Sequence, residues 1–195
     1  MNVLHENRTP EYWDRIYQAG GDWMPVTPRE RQMFRAYVDP DPSWKAIDVG
    51  CGRGSMTAAL WVWGMEAVGY DLSPLAIEQA RHRNADADVS FVRHDFNASP
   101  IPGDLAPGSL GLVVCRASLE FLDRERFLGD VRRWLNPEGV LHITTHIQEK
   151  TPPTLRHRGL PQTVVHGLGD GFRSRTRYDL TDDGSVTCLV LRGPQ

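Results

Sequence analysis

A chain of 195 residues with a net charge of −3 and 40% hydrophobic residues has the length of one domain and can bury roughly 70% of its unfolded surface without staples. The mild acidity leaves no electrostatic footprint for nucleic acid, and no apolar run approaches the ~20 residues of a membrane span. Cys51, Cys115 and Cys188 are scattered and odd in number, which points to buried free thiols of a reducing compartment; with no clustered metal ligands and a polar N-terminus lacking a signal peptide, a cytoplasmic, metal-free protein is expected.

Thr9-Pro10 reads as an N-cap with proline at the first helical position. Tyr12, Trp13, Ile16 and Tyr17 follow at helical spacing until Gly20-Gly21 ends the segment. Thr27-Pro28 with Glu30 has the form of a capping box. Met33, Phe34, Tyr37 and Val38 form the apolar face of that second helix, and Pro40 and Pro42 stop it. A first strand spans about Lys45 to Val49, a helix about Gly54 to Trp63, and a second strand about Glu66 to Tyr70. Ser73-Pro74 opens a helix ending near Asn84.

Strands at Val89–His94, Leu110–Cys115 and Val140–Thr145 follow, with a helix capped by Asp123 before the last of them. Phe127, Leu128, Val131, Trp134 and Leu135 are its buried stripe. Residues 147–171 hold three prolines and four glycines with little periodicity, the mark of a lid or a disordered loop. Phe172–Leu180 and Ser185–Leu191 alternate around Asp182-Asp183-Gly184, a hairpin signal. Arg173, Arg175 and Arg177 share one face of its first strand; they either guard a sheet edge or meet an anionic substrate or partner.

The most informative stretch is Asp48-Val49-Gly50-Cys51-Gly52-Arg53-Gly54, with Gly69-Tyr70-Asp71 about 20 residues on. A strand, a glycine turn, a helix and a second strand ending in an acid form a nucleotide-binding βαβ unit. The third glycine falls one position early for the dinucleotide fingerprint, and no Lys-Ser/Thr pair makes a P-loop. A nicotinamide oxidoreductase therefore fits poorly. The D-x-G-x-G-x-G pattern resembles motif I of the class I S-adenosylmethionine-dependent methyltransferases. The likeness continues at Asp95-Phe96, at Arg116-Ala117 and at Leu135-Asn136-Pro137-Glu138-Gly139-Val140, which looks like the family's turn from helix to strand five, covering roughly residues 45–146.

That resemblance implies an α/β fold: a doubly wound, mostly parallel seven-stranded sheet in the order 3-2-1-4-5-7-6, strand 7 antiparallel, with helices on both faces. Residues 1–195 then form a single domain, 1–43 a helical cover and 44–195 the core. It implies S-adenosylmethionine as cofactor and S-adenosylhomocysteine as product. Gly50, Cys51, Gly52 and Gly54 would let the turn approach the methionine part, and Asp48 would orient its amino end. Asp71, with Leu72 beside it, would bind the ribose hydroxyls. Asp95 would take the adenine amino group and Phe96 lie against the ring, while Arg116 and Ala117 line the cleft by backbone. Trp13, Tyr17 and Trp23 match a helix that closes over the cofactor in small members, or else simply pack on the core.

Methyl transfer needs alignment more than chemistry from the protein. His146 at the end of strand five and Glu120 after strand four are the candidate bases. The Asn-Pro-Pro-Tyr-type tetrad of amide and nucleobase N-methylating members is replaced by Arg116-Ala117-Ser118-Leu119. The expectation is a stand-alone methyltransferase for a small molecule, of the kind found in secondary metabolism, with no nucleic acid or membrane partner, as a monomer or homodimer. A protein or RNA methyltransferase, and a protein that binds the cofactor without methylating, are the alternatives.

Overall fold

The structure, a computed structural model, describes residues 9–21, 25–99, 102, 105–155 and 157–195. Its elements are α1 (Pro10–Gln18), α2 (Pro28–Val38), β1 (Lys45–Val49), α3 (Ser55–Val62), β2 (Glu66–Asp71), α4 (Pro74–Arg83), β3 (Ser90–Arg93), β4 (Leu110–Arg116), α5 (Arg124–Trp134), β5 (Leu135–His146), α6 (Gln162–Gly167), β6 (Phe172–Asp179) and β7 (Val186–Pro194). Short 3₁₀ turns lie at Leu119–Phe121 and Gln148–Lys150. The strands form one sheet in the order β3-β2-β1-β4-β5-β7-β6. The first five are parallel, and β7 runs antiparallel to both β5 and β6.

Both faces of the sheet are covered, so its central strands read as apolar runs rather than alternations. The period of two is still visible in what each side chain meets. Ile47, Val49, Val113, Cys115, Leu141 and Ile143 face α5 through Phe127, Val131 and Trp134. Their neighbours Ala46, Leu112, Val114 and Val140 face α2 and α3 through Phe34, Val38, Met56 and Leu60. Caps fix where the helices begin: Thr9, Thr27, Ser73 and Asp123 each accept an N–H of the first turn through the side chain.

Three local expectations are corrected. The turn expected at Leu135–Gly139 is a bulge inside a longer β5: between the Leu110–Leu135 and Leu112–Val140 pairs, β4 advances two residues and β5 five. The capping box is only half made. Thr27 accepts the Glu30 N–H at 3.1 Å, but the Glu30 carboxylate turns to the Arg116 guanidinium, with contacts of 2.6 and 2.8 Å. Residues 147–171 are not a structureless loop. They hold a 3₁₀ turn, a bridge between Ile147 and Leu160, and α6. Leu160, Val165 and Leu168 are buried in the core on the α5 side. Prolines and glycines keep α6 to six residues, too short for a periodic signal.

The β6 arginines fasten the sheet edge. Arg173 pairs with Glu138 of the bulge at 2.7 Å. Arg175 donates to the Val165 and His166 carbonyls at the end of α6, both at 3.0 Å. Arg177 donates to Thr187 on β7 at 2.9 Å. These contacts account for the alternating charges without a ligand.

Glu30 and Arg116 are almost fully buried, with side chains 3% and 8% exposed. Removing one partner of such a pair strands a charge out of water. Glu30→Ala is expected to lower the unfolding free energy by about 3–5 kcal/mol, and Glu30→Leu combined with Arg116→Met to recover much of it. Urea denaturation of the three proteins checks this; an equal loss in the double variant would mean that the cost is packing rather than charge.

Candidate cofactor cleft

The carboxyl ends of β1, β2 and β4 meet where the strand order reverses, with β2 and β3 on one side of β1 and β4 on the other. Chain leaves neighbouring strands in opposite directions at such a point, and a crevice opens there. The crevice holds about 1000 Å³ of space when its open mouth is included.

Its floor is the turn after β1. The Gly50 and Cys51 N–H groups donate to the Tyr70 carbonyl at 2.8 and 2.9 Å, which ties the turn to β2. Gly50 has φ +70°, and a Cβ there would strike the Ser118 side chain, so both backbone and space demand glycine. Gly54, at φ +82°, would strike Phe91. It does not line the crevice; it lets α3 pack against the sheet.

Asp48 is the penultimate residue of β1 and is 1% exposed. Its Oδ2 accepts the Thr57 hydroxyl at 2.8 Å, while its Oδ1 has no hydrogen-bond partner among the described residues. Burial, the larger effect, pushes its carboxyl up to about 6 against the lowering by Thr57 and Arg116. Asp71 closes β2. Its Oδ2 accepts the Gly52 N–H and its Oδ1 the Ser73 N–H, each at 2.9 Å, so one carboxylate links the glycine turn to the start of α4. Burial raises it too, to about 6. Cys51 and Leu72 line the wall beside them, and burial pushes the Cys51 thiol well up.

Beyond β3, Asp95 uses Oδ1 for a turn, accepting the Asn97 and Ala98 N–H groups at 2.8 and 3.2 Å. Phe96 is 7% exposed and packs against Tyr70, Phe127 and Trp134. After β4, Arg116 lines the crevice with its charge already met by Glu30. Ala117 has φ +54°, a left-handed conformation that costs a non-glycine residue about 1–2 kcal/mol. The Ser118 hydroxyl sits over this turn, donating to the Arg116 carbonyl at 2.9 Å and approaching the Gly50 carbonyl at 3.4 Å. The two loops of the crevice are thereby clamped together.

α1 lies over the mouth. Asp14 anchors it to α4, accepting the Ser73 hydroxyl at 2.5 Å and the Leu75 N–H at 3.4 Å. Trp13 and Tyr17 line the crevice from above, and Arg53 donates to the Tyr17 carbonyl at 2.9 Å. Trp23 lies outside the described residues. Glu120 and His146 do not line the crevice. They meet beside Gly159: Glu120 Oε2 accepts its N–H at 2.9 Å, and the His146 carbonyl accepts the Leu160 N–H at 3.0 Å. Burial pushes the Glu120 carboxyl up to about 7; burial first, and the nearby Arg116 second, lower His146. His142, in the middle of β5, is buried and held at about 3 by burial, with Nε2 2.8 Å from the Tyr178 hydroxyl.

Sequence reasoning missed several lining residues. His94, Asn97, Ser118 and Phe121 flank the singled-out pairs and could have been read as their neighbours. His157, from the aperiodic segment, gave no signal.

A methyltransferase-domain family model matches residues 47–143. The ubiquinone biosynthesis O-methyltransferase of Methylococcus capsulatus is 29% identical over 121 residues, 62% of this chain and 50% of that protein. The chain spans half or less of the length of the curated relatives it matches first. A SAM-dependent methyltransferase from Aquifex aeolicus superposes with a TM-score of 0.73 at 13% identity, over 92% of this chain and 97% of that one. The N-methyltransferase NodS from Bradyrhizobium japonicum, solved with S-adenosylhomocysteine, gives 0.65 at 20% identity over 87% and 89%. Through the domain at residues 47–143 and the strand order around it, this chain belongs to the class I S-adenosylmethionine-dependent methyltransferases.

Proposed function

We propose that this protein is a methyltransferase that moves the methyl group of S-adenosylmethionine to a hydroxyl of a small-molecule acceptor. The observation that carries the reading is Asp48: a buried carboxylate with one oxygen unpartnered among the described residues, in the crevice floor. A buried acceptor left unpaired costs about 1–3 kcal/mol, and a ligand ammonium would satisfy it, directly or through a water. Asp71, with lone pairs beyond the two N–H bonds it accepts, would hold the ribose hydroxyls. Asp95 would take the adenine amino group by its second oxygen, with Phe96 and His94 beside the ring.

When bound, the cofactor supplies a sulfonium that is already activated for methyl transfer. The chain's part is binding, orientation and exclusion of water. Three carboxylates, Asp48, Asp71 and Asp95, line the crevice against two guanidiniums, Arg53 and Arg116, and Glu30 neutralises Arg116. That balance favours a cationic ligand. α1 and residues 147–171 would form the cover, and the acceptor oxygen follows the O-methyltransferase relatives. A second reading, binding without transfer, is favoured by one fact: neither Glu120 nor His146 lines the crevice. Labelled methyl from S-adenosylmethionine entering the small-molecule fraction of a host-cell extract is the expected result. Label in the polymer fraction alone would point to a macromolecular acceptor, and none in either to binding without transfer.

Asp71→Ala is expected to weaken S-adenosylhomocysteine binding by about 1.5–3 kcal/mol, the worth of hydrogen bonds to a charged group; unchanged affinity by calorimetry would remove Asp71 from the site. Affinity should also depend on pH. Asp48 and Asp71 are protonated in the free protein below about 6 and must ionise to meet the ligand. Binding is therefore level above neutrality and weakens as pH falls through that value, by up to about tenfold per pH unit for each carboxylate involved. Titrations at several pH values between neutral and acid, with folding checked at each, test the sign.

A further inference from the structure

One end of the crevice is built differently from the rest. The floor and far wall present carboxylates and backbone N–H groups, but the end under α1 presents rings. Trp13 from α1, Phe121 from the turn after β4, and His157 from the segment before α6 all line it. They form a packed wall. Trp13 stacks on His157 with centroids 5.1 Å apart, and Phe121 meets both edge-on at 4.9 and 5.0 Å. Among the described residues, the side chains contributed here by α1 and these two segments include no carboxylate, ammonium or guanidinium.

Each ring is held from behind. The Tyr12 hydroxyl lies 3.1 Å from His157 Nε2. Glu120, the residue before Phe121, accepts the Gly159 N–H at 2.9 Å and so ties the Phe121 turn to the His157 segment. Gly159 has φ +76°, and a Cβ there would strike the His146 backbone, which fixes the path of the chain at this point. Glu120 and Tyr12 are thus positioning residues: they set the rings without lining the crevice themselves.

We propose that this wall is the acceptor subsite, and that it takes a flat, uncharged aromatic ring bearing the accepting hydroxyl. The inference rests on the cofactor reading of the remaining crevice, since the Asp48, Asp71 and Asp95 end is then filled and only the ring-lined end is left. Flat rings gain edge-to-face or offset contacts that saturated skeletons of the same size do not. An anionic ring would enter a crevice lined by three carboxylates against the guanidiniums of Arg53 and Arg116, with Glu30 already set against Arg116, and would be disfavoured. A cationic ring-bearing acceptor would be attracted by the same carboxylates and by the aromatic faces, and the test separates it.

The experiment is calorimetric titration of the S-adenosylhomocysteine-loaded protein with four probes of one skeleton: 2-naphthol, decahydro-2-naphthol, 2-naphthoate and 2-naphthylmethylammonium. Expected is tightest binding of 2-naphthol, weaker binding of the saturated alcohol by roughly threefold to tenfold, and weakest binding of the anion. Phe121→Leu and His157→Leu should each weaken 2-naphthol by a similar factor while leaving S-adenosylhomocysteine affinity within about twofold, and Phe121→Tyr, which keeps a ring, should restore it. Equal binding of the saturated alcohol, indifference to both leucine variants, or failure of 2-naphthol to bind would overturn the proposal. Tightest binding of the ammonium probe would overturn it in favour of a cationic acceptor. Failure of S-adenosylhomocysteine itself to bind would instead bring down the cofactor reading, and this proposal with it.

Discussion

Two carboxylates held out of water at the ends of adjacent parallel strands govern this molecule. Asp48 and Asp71 are 1% and 8% exposed, and burial pushes both toward their neutral forms. Among the described residues no cationic group is hydrogen-bonded to them; they accept from one hydroxyl and two backbone N–H groups. An unpaired charge in such a place is expensive. The parallel sheet makes the arrangement possible because its strands end side by side, and the reversal of strand order leaves the space above those ends open. The cation nearest Asp48 among the described residues, Arg116, is committed to Glu30, and a ligand cation can supply what is left unmet.

The Glu30–Arg116 pair completes that electrostatic pattern from outside the crevice. Arg116 ends β4 and points its guanidinium at the bidentate Glu30 carboxylate of α2. Without Glu30 an arginine would stand uncompensated beside Asp48 and provide the countercharge itself. With Glu30 the arginine is spent, and α2 is fixed to the sheet by the same contact. One interaction thereby does two jobs: it docks α2 on the sheet, and it offsets the arginine that lines the cleft.

What could be read from the sequence follows from how local each signal is. The βαβ unit was legible because glycines at 50, 52 and 54 and acids at 48 and 71 have few alternative explanations at that spacing. The strand order followed from the resemblance those residues carry, and the sheet has it. Glu30 was misread because the local pattern, three residues after a Thr cap, is also satisfied by a carboxylate that leaves the helix for a partner 86 positions away. No window along the chain contains that competition. The bulge in β5 was read as a turn for a related reason: Asn136, Pro137 and Gly139 are turn formers, and only pairing with β4 keeps them within a strand.

The ring-lined end of the crevice shows the limit most clearly. Trp13 stood out because it sits in a periodic helix, but its partners Phe121 and His157 come from a turn and from an aperiodic stretch. Their meeting depends on Glu120 reaching Gly159, a contact between segments 39 positions apart. The residues proposed to hold the cofactor lie at strand ends, where periodicity and glycine chemistry mark them. Acceptor residues lie on the segments that cross above, which are free to vary in sequence so long as the strands beneath them hold. The proposed cofactor site is therefore written in local motifs, whereas the proposed acceptor site is written in the tertiary contacts that bring three unrelated segments to one wall.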